Sequence, residues 1–517
     1  MLIVLFTSIT SSLFAQSKQL VSGNVSTLDN TPLPGVSVIV KGTTVGVVTD
    51  VNGHFAIEAS STDILVFSFI GMASEEVPVG NQTTVDITMM DDIKTLSEVV
   101  IVGYGTQKKS HLTGAISKVE AEILSQMPVS RVDDALIGRV SGVNIQATNA
   151  EPGAAPTINI RGVGSVNGSS GPAVVVDGVV VSAEWLGSLD MNNVASFEVL
   201  KDAASAAIYG SEGSNGVIMI TTKNGKEGNA KFSYETYFGR KDAFGSDGYR
   251  KPSVAEWAEK ERAAEEGVLS NETLYALQLV DSLGVDRDWQ DIFFDGGNII
   301  SHSLSARGGS DKTKFSTSLR YLHDEGVVIT DDYKLYSANA KVDSKLSDKL
   351  KFGINVTPAY SKRRVLPTSI HNGMRQATWL PIYHTEKSLQ YVNRTTYPNV
   401  TVGDYFREDH LRNIDIDPTD AFGASRPRAT GDQNGYAQYV EREHYEYQIN
   451  LLGSTYLSYS IIKGLTAKTS LGATLEQRKR TRYDGTQHHA AGASRASYNL
   501  QNRFNTRLIS DNTLDYS

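Results

Sequence analysis

The sequence predicts a mainly β protein built in three successive parts: a small all-β sandwich, a mixed α/β domain, and a run of antiparallel strands suited to a transmembrane barrel. Three observations predict it. Short Val, Ile and Thr runs broken by Gly, Pro and Asp-Asn turns fill residues 19–92. Residues 111–228 mix strand-like and helix-like stretches. From Lys231 onward apolar and polar residues alternate, the dyad pattern of a sheet wet on one face only. A chain of 517 residues allows about three domains at roughly 100–200 residues each. The composition narrows the function. A net charge of −9 with scattered Lys and Arg leaves no surface for nucleic-acid phosphates. The absence of Cys removes disulfides, thiolate metal sites, cysteine nucleophiles and a lipoprotein anchor. No 18-residue apolar run follows the N-terminus, and mean hydropathy is −0.24, which excludes a helical membrane protein but not a β-barrel.

Residues 1–15 begin Met1-Leu2-Ile3-Val4-Leu5-Phe6 and end Leu13-Phe14-Ala15, an apolar region with a small residue at the cut, which predicts a signal peptide cleaved after Ala15. The first basic residue is Lys18, so the usual positive start is expected upstream of Met1. Over 18–92 the strand runs are Leu20 to Val25, Val36 to Lys41, Gly46 to Thr49, His54 to Glu58, Ile64 to Phe69 and Thr84 to Met89. Pro32 and Pro34 suit an edge entry, and Asp50-Val51-Asn52-Gly53 supplies residues tolerant of positive φ for a tight hairpin. Asp50 and Asn52 do not make a calcium loop, since no bidentate Glu follows at EF-hand spacing.

The stretches Asn30-Thr31-Pro32-Leu33-Pro34-Gly35-Val36, Lys41-Gly42-Thr43-Thr44, Thr49-Asp50-Val51-Asn52-Gly53-His54-Phe55 and Phe67-Ser68-Phe69-Ile70-Gly71 resemble the carboxypeptidase-regulatory-like domain that precedes the plug in SusC/RagA-type TonB-dependent outer-membrane transporters. That module is non-catalytic, and His54 is the only histidine before His111. Next comes Leu96-Ser97-Glu98-Val99-Val100-Ile101-Val102-Gly103-Tyr104-Gly105, a β-branched run that reads as one extended strand between domains. Such a strand can add to the edge of a partner's sheet. Residues 96–105 resemble the family's TonB box, which implies Glu98, Val99, Val100, Ile101 and Val102 as the segment grasped by TonB. Taken alone, the strand reads equally well as part of the neighbouring domain.

In 110–228 an amphipathic helix is expected over Arg131 to Arg139, with strands at Val143 to Gln146, Thr157 to Ile160, Ala173 to Val176, Val179 to Val181, Phe197 to Leu200 and Val217 to Thr222. Asp202 is expected to cap an Ala-rich helix, Ala203 to Tyr209, closed by Gly210. Leu136-Ile137-Gly138-Arg139-Val140-Ser141-Gly142-Val143, Ile160-Arg161-Gly162-Val163-Gly164-Ser165, Val175-Val176-Asp177-Gly178 and Glu198-Val199-Leu200-Lys201-Asp202 through Ala207-Ile208-Tyr209-Gly210 resemble the plug signatures of the same family. A domain lodged in a pore must be polar outside and able to rearrange. Arg161, Gly162, Asp177, Gly178, Lys201, Asp202, Tyr209 and Gly210 are therefore the candidate latch, with the charged residues paired to each other or to the barrel wall. The reading of these charges as merely solvated stays open, since surface pairs contribute about 0–1 kcal/mol. The loop Gly162 to Gly171 lacks the Gly-Lys-Ser/Thr ending of a phosphate loop. Its Ser165, Asn167, Ser169 and Ser170 are expected to face incoming substrate.

Over 231–517, strands are expected near 231–239, 298–307, 313–323, 333–345, 350–360, 444–459, 465–478 and from 495 on, in the first portion of an outer-membrane barrel. Tyrosines near strand ends suit the aromatic girdles of such barrels. Turns at Gly308-Gly309-Ser310-Asp311, Ser347-Asp348-Lys349 and Lys463-Gly464 are tight. The other connections are long: 240–297 with a helical stretch from Val254 to Gly284, and an irregular loop over 361–443. That asymmetry is the one outer-membrane barrels show. Eight strands enclose only side chains, whereas plugged transporters use about 22, and an open edge cannot sit in lipid. The chain is therefore expected to be a piece of a longer protein, ending at Asp515-Tyr516-Ser517 without the usual terminal aromatic residue.

No Gly-x-Ser-x-Gly elbow, His-Glu-x-x-His pair or phosphate loop occurs, so no catalytic residue, metal ligand or cofactor is expected. His488-His489 reads as a loop rather than a metal site. The resemblance implies a TonB-dependent importer in the cell outer membrane, with its N-terminal domain and TonB box periplasmic. It implies as partners TonB with its proton-motive-force complex, a SusD-like surface lipoprotein, outer-membrane lipid and a large nutrient, a glycan before a peptide. The rival reading is a secreted or surface-attached β-sandwich adhesion protein.

Overall fold

The computed structural model describes residues 19–27, 31–43, 45–69, 72–90, 99–102, 105–108, 116–120, 131–146, 151–164, 170–202, 206–243, 252–264, 271–367, 369–374, 376–407, 410–411, 434–487 and 496–516. The expected signal peptide therefore lies outside the described residues, as does His488-His489. The chain divides into two compact units, Met1–Thr113 and Gly114–Ser517.

The first unit owes its sheets to alternation at a period of two. Its strands are β1 (Gln19–Thr27), β2 (Ser37–Val40), β3 (Gly46–Val48), β4 (His54–Ala59), β5 (Ile64–Ser68), β6 (Glu75–Pro78) and β7 (Ile87–Met89). They form two sheets, in the orders β4-β1-β7 and β3-β2-β5-β6. In β4 the residues Phe55, Ile57 and Ala59 are buried while His54, Ala56 and Glu58 are exposed. They join Val21, Val38, Leu65 and Phe67 in one core, where the Phe55 and Phe67 rings meet edge-on at 5.2 Å. The Asp50 turn forms as its residues suggest. The Asp50 carboxylate accepts from the N–H groups of Asn52 and His54 at 2.9 Å each, and Gly53 takes φ 76°. A Cβ at Gly53 would stand 2.5 Å from the Val25 carbonyl oxygen. Strand β6 was not expected; its residues Glu75-Glu76-Val77-Pro78 carry little strand propensity and are held by pairing along β5. The hairpin β8 (Val99–Val102) and β9 (Gly105–Lys108) completes the unit's strands.

The second unit opens with an α/β domain. Strands β10 (Ile116–Glu120), β13 (Ala173–Val176), β14 (Val179–Val181), β15 (Val194–Leu200) and β16 (Val217–Thr222) form a sheet in the order β10-β15-β16-β13-β14, and β11 (Val143–Gln146) pairs with β12 (Thr157–Ile160). Val174, Val176, Trp185, Phe197, Ile218 and Ile220 are among its buried core. Two helix expectations are corrected. Arg131 to Arg139 contains only a 3₁₀ turn, Asp134–Leu136, because the buried Arg131 side chain is committed to Asp133 and Gly138 at φ 71° ends the segment. The Ala-rich segment forms a 3₁₀ helix, Ala207–Asn215, broken at Gly210 (φ 58°, ψ −140°), and residues 203–205 lie outside the described residues.

The remainder is an eight-stranded antiparallel meander: β17 (Gly228–Lys241), β18 (Gly297–Gly309), β19 (Thr313–Glu325), β20 (Asp332–Lys345), β21 (Leu350–Arg364), β22 (Arg442–Ile462), β23 (Leu465–Asp484) and β24 (Ser497–Tyr516). Each neighbour pairs in sequence order, with β17 and β24 as the edges. Its burial is inverted relative to a water-soluble sheet. Ser303, Ser316, Ser318, Asn339, Asn355 and Asn450 are buried against the α/β domain's side, while Phe232, Phe238, Leu304, Leu319, Leu457 and Leu471 are exposed on the opposite face.

The tightest turns, 310–312, 346–349 and 463–464, lie at one end of the sheet, and the other end carries 242–296, 326–331, 365–441 and 485–496. The long connections contain α1 (Val254–Ala264), α2 (Asn271–Leu283), α3 (Trp289–Phe293), α4 (Ile370–Met374), α5 (Glu386–Leu389) and α6 (Gly435–Val440). The expected helical stretch from Val254 is thus two helices. The expected irregular loop over 361–443 is corrected as well: Trp289, Phe293, Trp379, Phe406 and Tyr439 form a core of their own. Asn434 ties it together, its Nδ2 donating to the carbonyls of Ile382 (2.7 Å) and Phe406 (2.9 Å) while its Oδ1 caps α6 at Ala437 N. Periodicity missed this core because its contacts join residues far apart in the chain.

The sandwich of residues 19–90 depends on its aromatic pair. Replacing the fully buried Phe67 by Ala is expected to cost about 3–5 kcal/mol, read as a lowered urea midpoint at unchanged slope for residues 19–90 expressed alone.

Candidate functional site

The site is the seam between the α/β domain and the inner face of the sheet, and Asp177 lies at its centre. Val176 pairs with Val179, so Asp177 and Gly178 are the two loop residues of the β13–β14 hairpin. Both take positive φ, 46° and 87°, the conformation for which Asp-Gly is favoured. The turn aims the Asp177 carboxylate at the sheet. Its Oδ1 accepts from Thr222 N at 3.0 Å and faces Lys341 Nζ at 3.3 Å, and its Oδ2 accepts from Thr222 Oγ1 at 2.5 Å and Asn355 Nδ2 at 2.7 Å. The Asp177 and Lys341 side chains are only 7% and 14% exposed, so this ion pair is shielded as a surface pair is not. Behind it, Asn339 Nδ2 donates to Asn355 Oδ1 and Thr357 Oγ1 at 2.8 Å each.

The segment 188–190 makes three consecutive contacts with the wall. Asn450 Nδ2 donates to Ser188 Oγ at 2.7 Å, Arg320 Nη1 to the Leu189 carbonyl at 2.9 Å, and Ser303 Oγ to Asp190 Oδ2 at 2.7 Å. Arg363 and Glu151 pair at 2.5 Å. Apolar contacts accompany these bonds: Leu452 and Ile509 pack on the domain's core, a Cβ at Gly472 would stand 2.9 Å from Val179 Cγ2, and Gly153 lies against the Tyr333 ring.

Beside these contacts lies a narrow cavity of about 40 Å³ whose lining includes Arg131, Glu184, Ser188, Tyr333, Arg363 and Arg478. Arg131 is held by Asp133 through Nε (2.9 Å) and Nη2 (2.8 Å), and a Cβ at Gly187 would stand 2.0 Å from Arg131 Nη1. In the nearby 326–331 connection, burial and the charge of Glu151 push the Asp331 carboxyl up to about 8, so it keeps its proton at neutral pH.

The sequence-predicted residues fare unequally. Asp177 meets the wall and Gly178 completes its turn. Lys201 Nζ donates to Ser141 Oγ at 3.3 Å, and the Asp202 carbonyl accepts from Ala206 N at 3.1 Å. Tyr209 Oη contacts Met219 Sδ at 3.7 Å, beside Gly210. Arg161 (φ 57°) and Gly162 (φ 105°) form an exposed turn, with Arg161 N–H donating to the Gly142 carbonyl. Val99 to Val102 are in a hairpin, while Glu98, Ser165, Asn167 and Ser169 lie outside the described residues; Ser170 is half-buried. Ser188, Asp190, Lys341 and Asn355 did not stand out in the sequence. Strand parity marks the last two as inward-facing, but their partners are set by the fold. Among the described residues no group of three His, Asp or Glu is placed to hold a metal ion.

Residues 108–217 match the family described as TonB-dependent Receptor Plug Domain, and residues 21–101 match the CarboxypepD_reg-like domain. The chain is 38% identical over 374 residues to TonB-dependent receptor P26 of Formosa agariphila, an alignment covering 72% of this chain and 37% of that one. It is 32% identical over 514 residues to TonB-dependent receptor P3 of the same organism (97% and 46%), and 34% identical over 409 residues to TonB-dependent receptor SusC of Bacteroides thetaiotaomicron (75% and 39%). It shares its fold with the RagAB peptide importer in the open-open state, with a TM-score of 0.61 at 23% identity, covering 81% of this chain and 47% of that one. The chain thus spans less than half the length of these relatives, which are receptors and not enzymes. With an N-terminal regulatory-like domain, a plug-type α/β domain and an inverted antiparallel sheet in that order, the chain belongs to the SusC/RagA type of TonB-dependent receptors.

Proposed function

We propose that this chain is the gating and TonB-coupled portion of an outer-membrane importer for a large nutrient, an oligosaccharide in the first instance. The observation that carries the reading is the inverted sheet. A face bearing Phe232, Phe238, Leu319 and Leu471 toward the surroundings is stable in lipid, and the opposite polar face holds a polar domain through Asp177, Asp190 and Ser188. The long connections face the exterior and the short turns the periplasm. Residues 18–92 and the segment 96–105 are periplasmic, and the plug at 110–228 is the gate itself.

In this mechanism the plug stays seated while the Asp177 carboxylate is satisfied by Lys341, Asn355 and Thr222. TonB, driven by its proton-motive-force complex, captures Glu98 to Val102 by adding them to the edge of its own sheet. Because Val99 to Val102 are already paired with Gly105 to Lys108, capture exchanges one set of main-chain bonds for another. The pull then travels through residues 109–115 into the plug, and Arg161, Lys201 and Asp202 belong to the surface that rearranges. A SusD-like lipoprotein covers the long-loop side and delivers the nutrient past Ser165, Asn167, Ser169 and Ser170. Support for a sugar comes from the half-exposed Tyr383, stacked on Tyr405 at 5.2 Å, an apolar platform for pyranose faces. The RagAB neighbour in fold is a peptide importer, which makes a peptide the second reading.

Three measurements test this. Leu319→Arg, at the centre of outward-facing β19, is expected to cost about 2–4 kcal/mol in a bilayer and to lower the yield of folded protein in the outer membrane; an unchanged yield would mean that the face meets water. Asp177→Ala removes the carboxylate that pairs with Lys341 and accepts from Asn355, leaving Lys341 only the neutral Thr222 Oγ1, an expected loss of about 3 kcal/mol seen as faster protease cleavage of residues 110–228 within an intact receptor. Val100→Pro, which removes a ladder donor, is expected to abolish retention of the receptor by the soluble periplasmic domain of TonB at unchanged membrane abundance.

A further inference from the structure

The outward face of the sheet carries an ordered pattern near its long-loop end. His302, Tyr321, Tyr336 and Tyr360 stand directly opposite one another across β18 to β21, their rings 6.3, 5.1 and 6.3 Å apart in turn. Two residues nearer the long loops runs a second row, Lys334, Lys362, Tyr447 and Lys479, again as directly opposed pairs across β20 to β23. Outward orientation follows from strand parity, since Leu335, Ala359 and Leu452 are buried and Tyr336, Tyr360 and Leu451 are exposed.

Lys334 is offset by Asp332 at 3.8 Å. Lys362, Arg364 and Lys479 are not: among the described residues none of the three is in an ion pair. They gather instead around two rings. Lys362 Nζ lies 4.5 Å from the Tyr445 centroid and 5.9 Å from that of Tyr447, Arg364 lies 6.0 Å from Tyr445, and Lys479 Nζ lies 5.8 Å from Tyr447. Two acids share this face at that level: Asp332, the register partner of Arg364, is engaged by His323 (2.6 Å) and Lys334 (3.8 Å), and Glu443 lies beyond Tyr445 on β22. Three cations held together against ring faces repel one another, and an anion between them would relieve that repulsion. The level of the cluster says which anion. It sits at the edge of an apolar band that includes Ile449 and Leu451, where an occupant needs an anionic head beside the Lys and Arg groups and an apolar tail along the band.

We infer that Lys362, Arg364 and Lys479, set around Tyr445 and Tyr447, bind the phosphate headgroup of an anionic lipid in the leaflet on the long-loop side. The inference rests on the membrane reading above and goes beyond it by giving this face a lipid preference. At roughly fivefold per cation at a charged membrane surface, the triple variant Lys362→Gln, Arg364→Gln, Lys479→Gln is expected to lose on the order of 100-fold in anionic-lipid retention.

The test uses protein purified from outer membranes, reconstituted in vesicles of phosphatidylcholine alone or mixed with phosphatidylglycerol, with retained lipid counted by native mass spectrometry. The expected result is selective retention of phosphatidylglycerol, lost in the triple variant, reduced about fivefold in Lys479→Gln alone, and kept in Lys349→Gln, Lys351→Gln on the short-turn rim. Insertion into both vesicles with equal retention of the two lipids would overturn this inference alone. Displacement of phosphatidylglycerol by millimolar inorganic phosphate would overturn the assignment to lipid. Failure to enter either vesicle would overturn the membrane reading and this inference with it.

Discussion

The structure depends on one constraint: a sheet that turns its apolar residues outward must satisfy its polar residues on the inside. Unpaired buried amides and hydroxyls each cost about 1–3 kcal/mol, so the inner face cannot be left to a dry interior. The α/β domain supplies the partners. Asp177 takes up Lys341 and Asn355, Asp190 takes up Ser303, Ser188 takes up Asn450 and the Leu189 carbonyl takes up Arg320. The seam is thus directional, with polar bonds set beside apolar contacts of Leu452, Ile509 and Tyr333. An interface of that kind is strong when intact and can be undone stepwise, as a movable gate requires.

The long-loop end solves a different problem. The described parts of the 242–296 and 365–441 connections gather on a separate core around Trp289, Phe293, Trp379 and Tyr439, with Trp289 Nε1 bonded to the Ala377 carbonyl at 2.9 Å. Within it His384 Nε2 and His410 Nδ1 meet at 2.9 Å, and burial together with the adjacent His410 lowers His384 to about 4, so it is neutral at neutral pH.

Coupling in the proposed mechanism turns on the hairpin at 99–108. Its strand is β-branched throughout, yet it is paired along only four residue positions. A short two-stranded ribbon is marginal by itself, so its strand can be transferred to another sheet without unfolding a large core.

Much of this was legible in the residues. Strand period, turn chemistry and loop asymmetry are local properties, and they placed all eight strands of the meander, the Asp50 turn and the two strands that flank Asp177-Gly178, because side-chain alternation and positive-φ preference act within a few residues. The motif resemblance likewise identified the family from contiguous stretches. The helices expected over Arg131 to Arg139 and Ala203 to Tyr209 missed the 3₁₀ geometry, since a buried Arg131–Asp133 pair and a break at Gly210 override propensity. The partners of the latch were beyond reach: Asp177 lies 164 positions from Lys341 and 178 from Asn355, and Ser188 lies 262 from Asn450. Sequence alone determined the order of the parts and which face of each strand is polar; tertiary structure decided which polar groups meet, because that depends on how the sheet curves around the domain it holds.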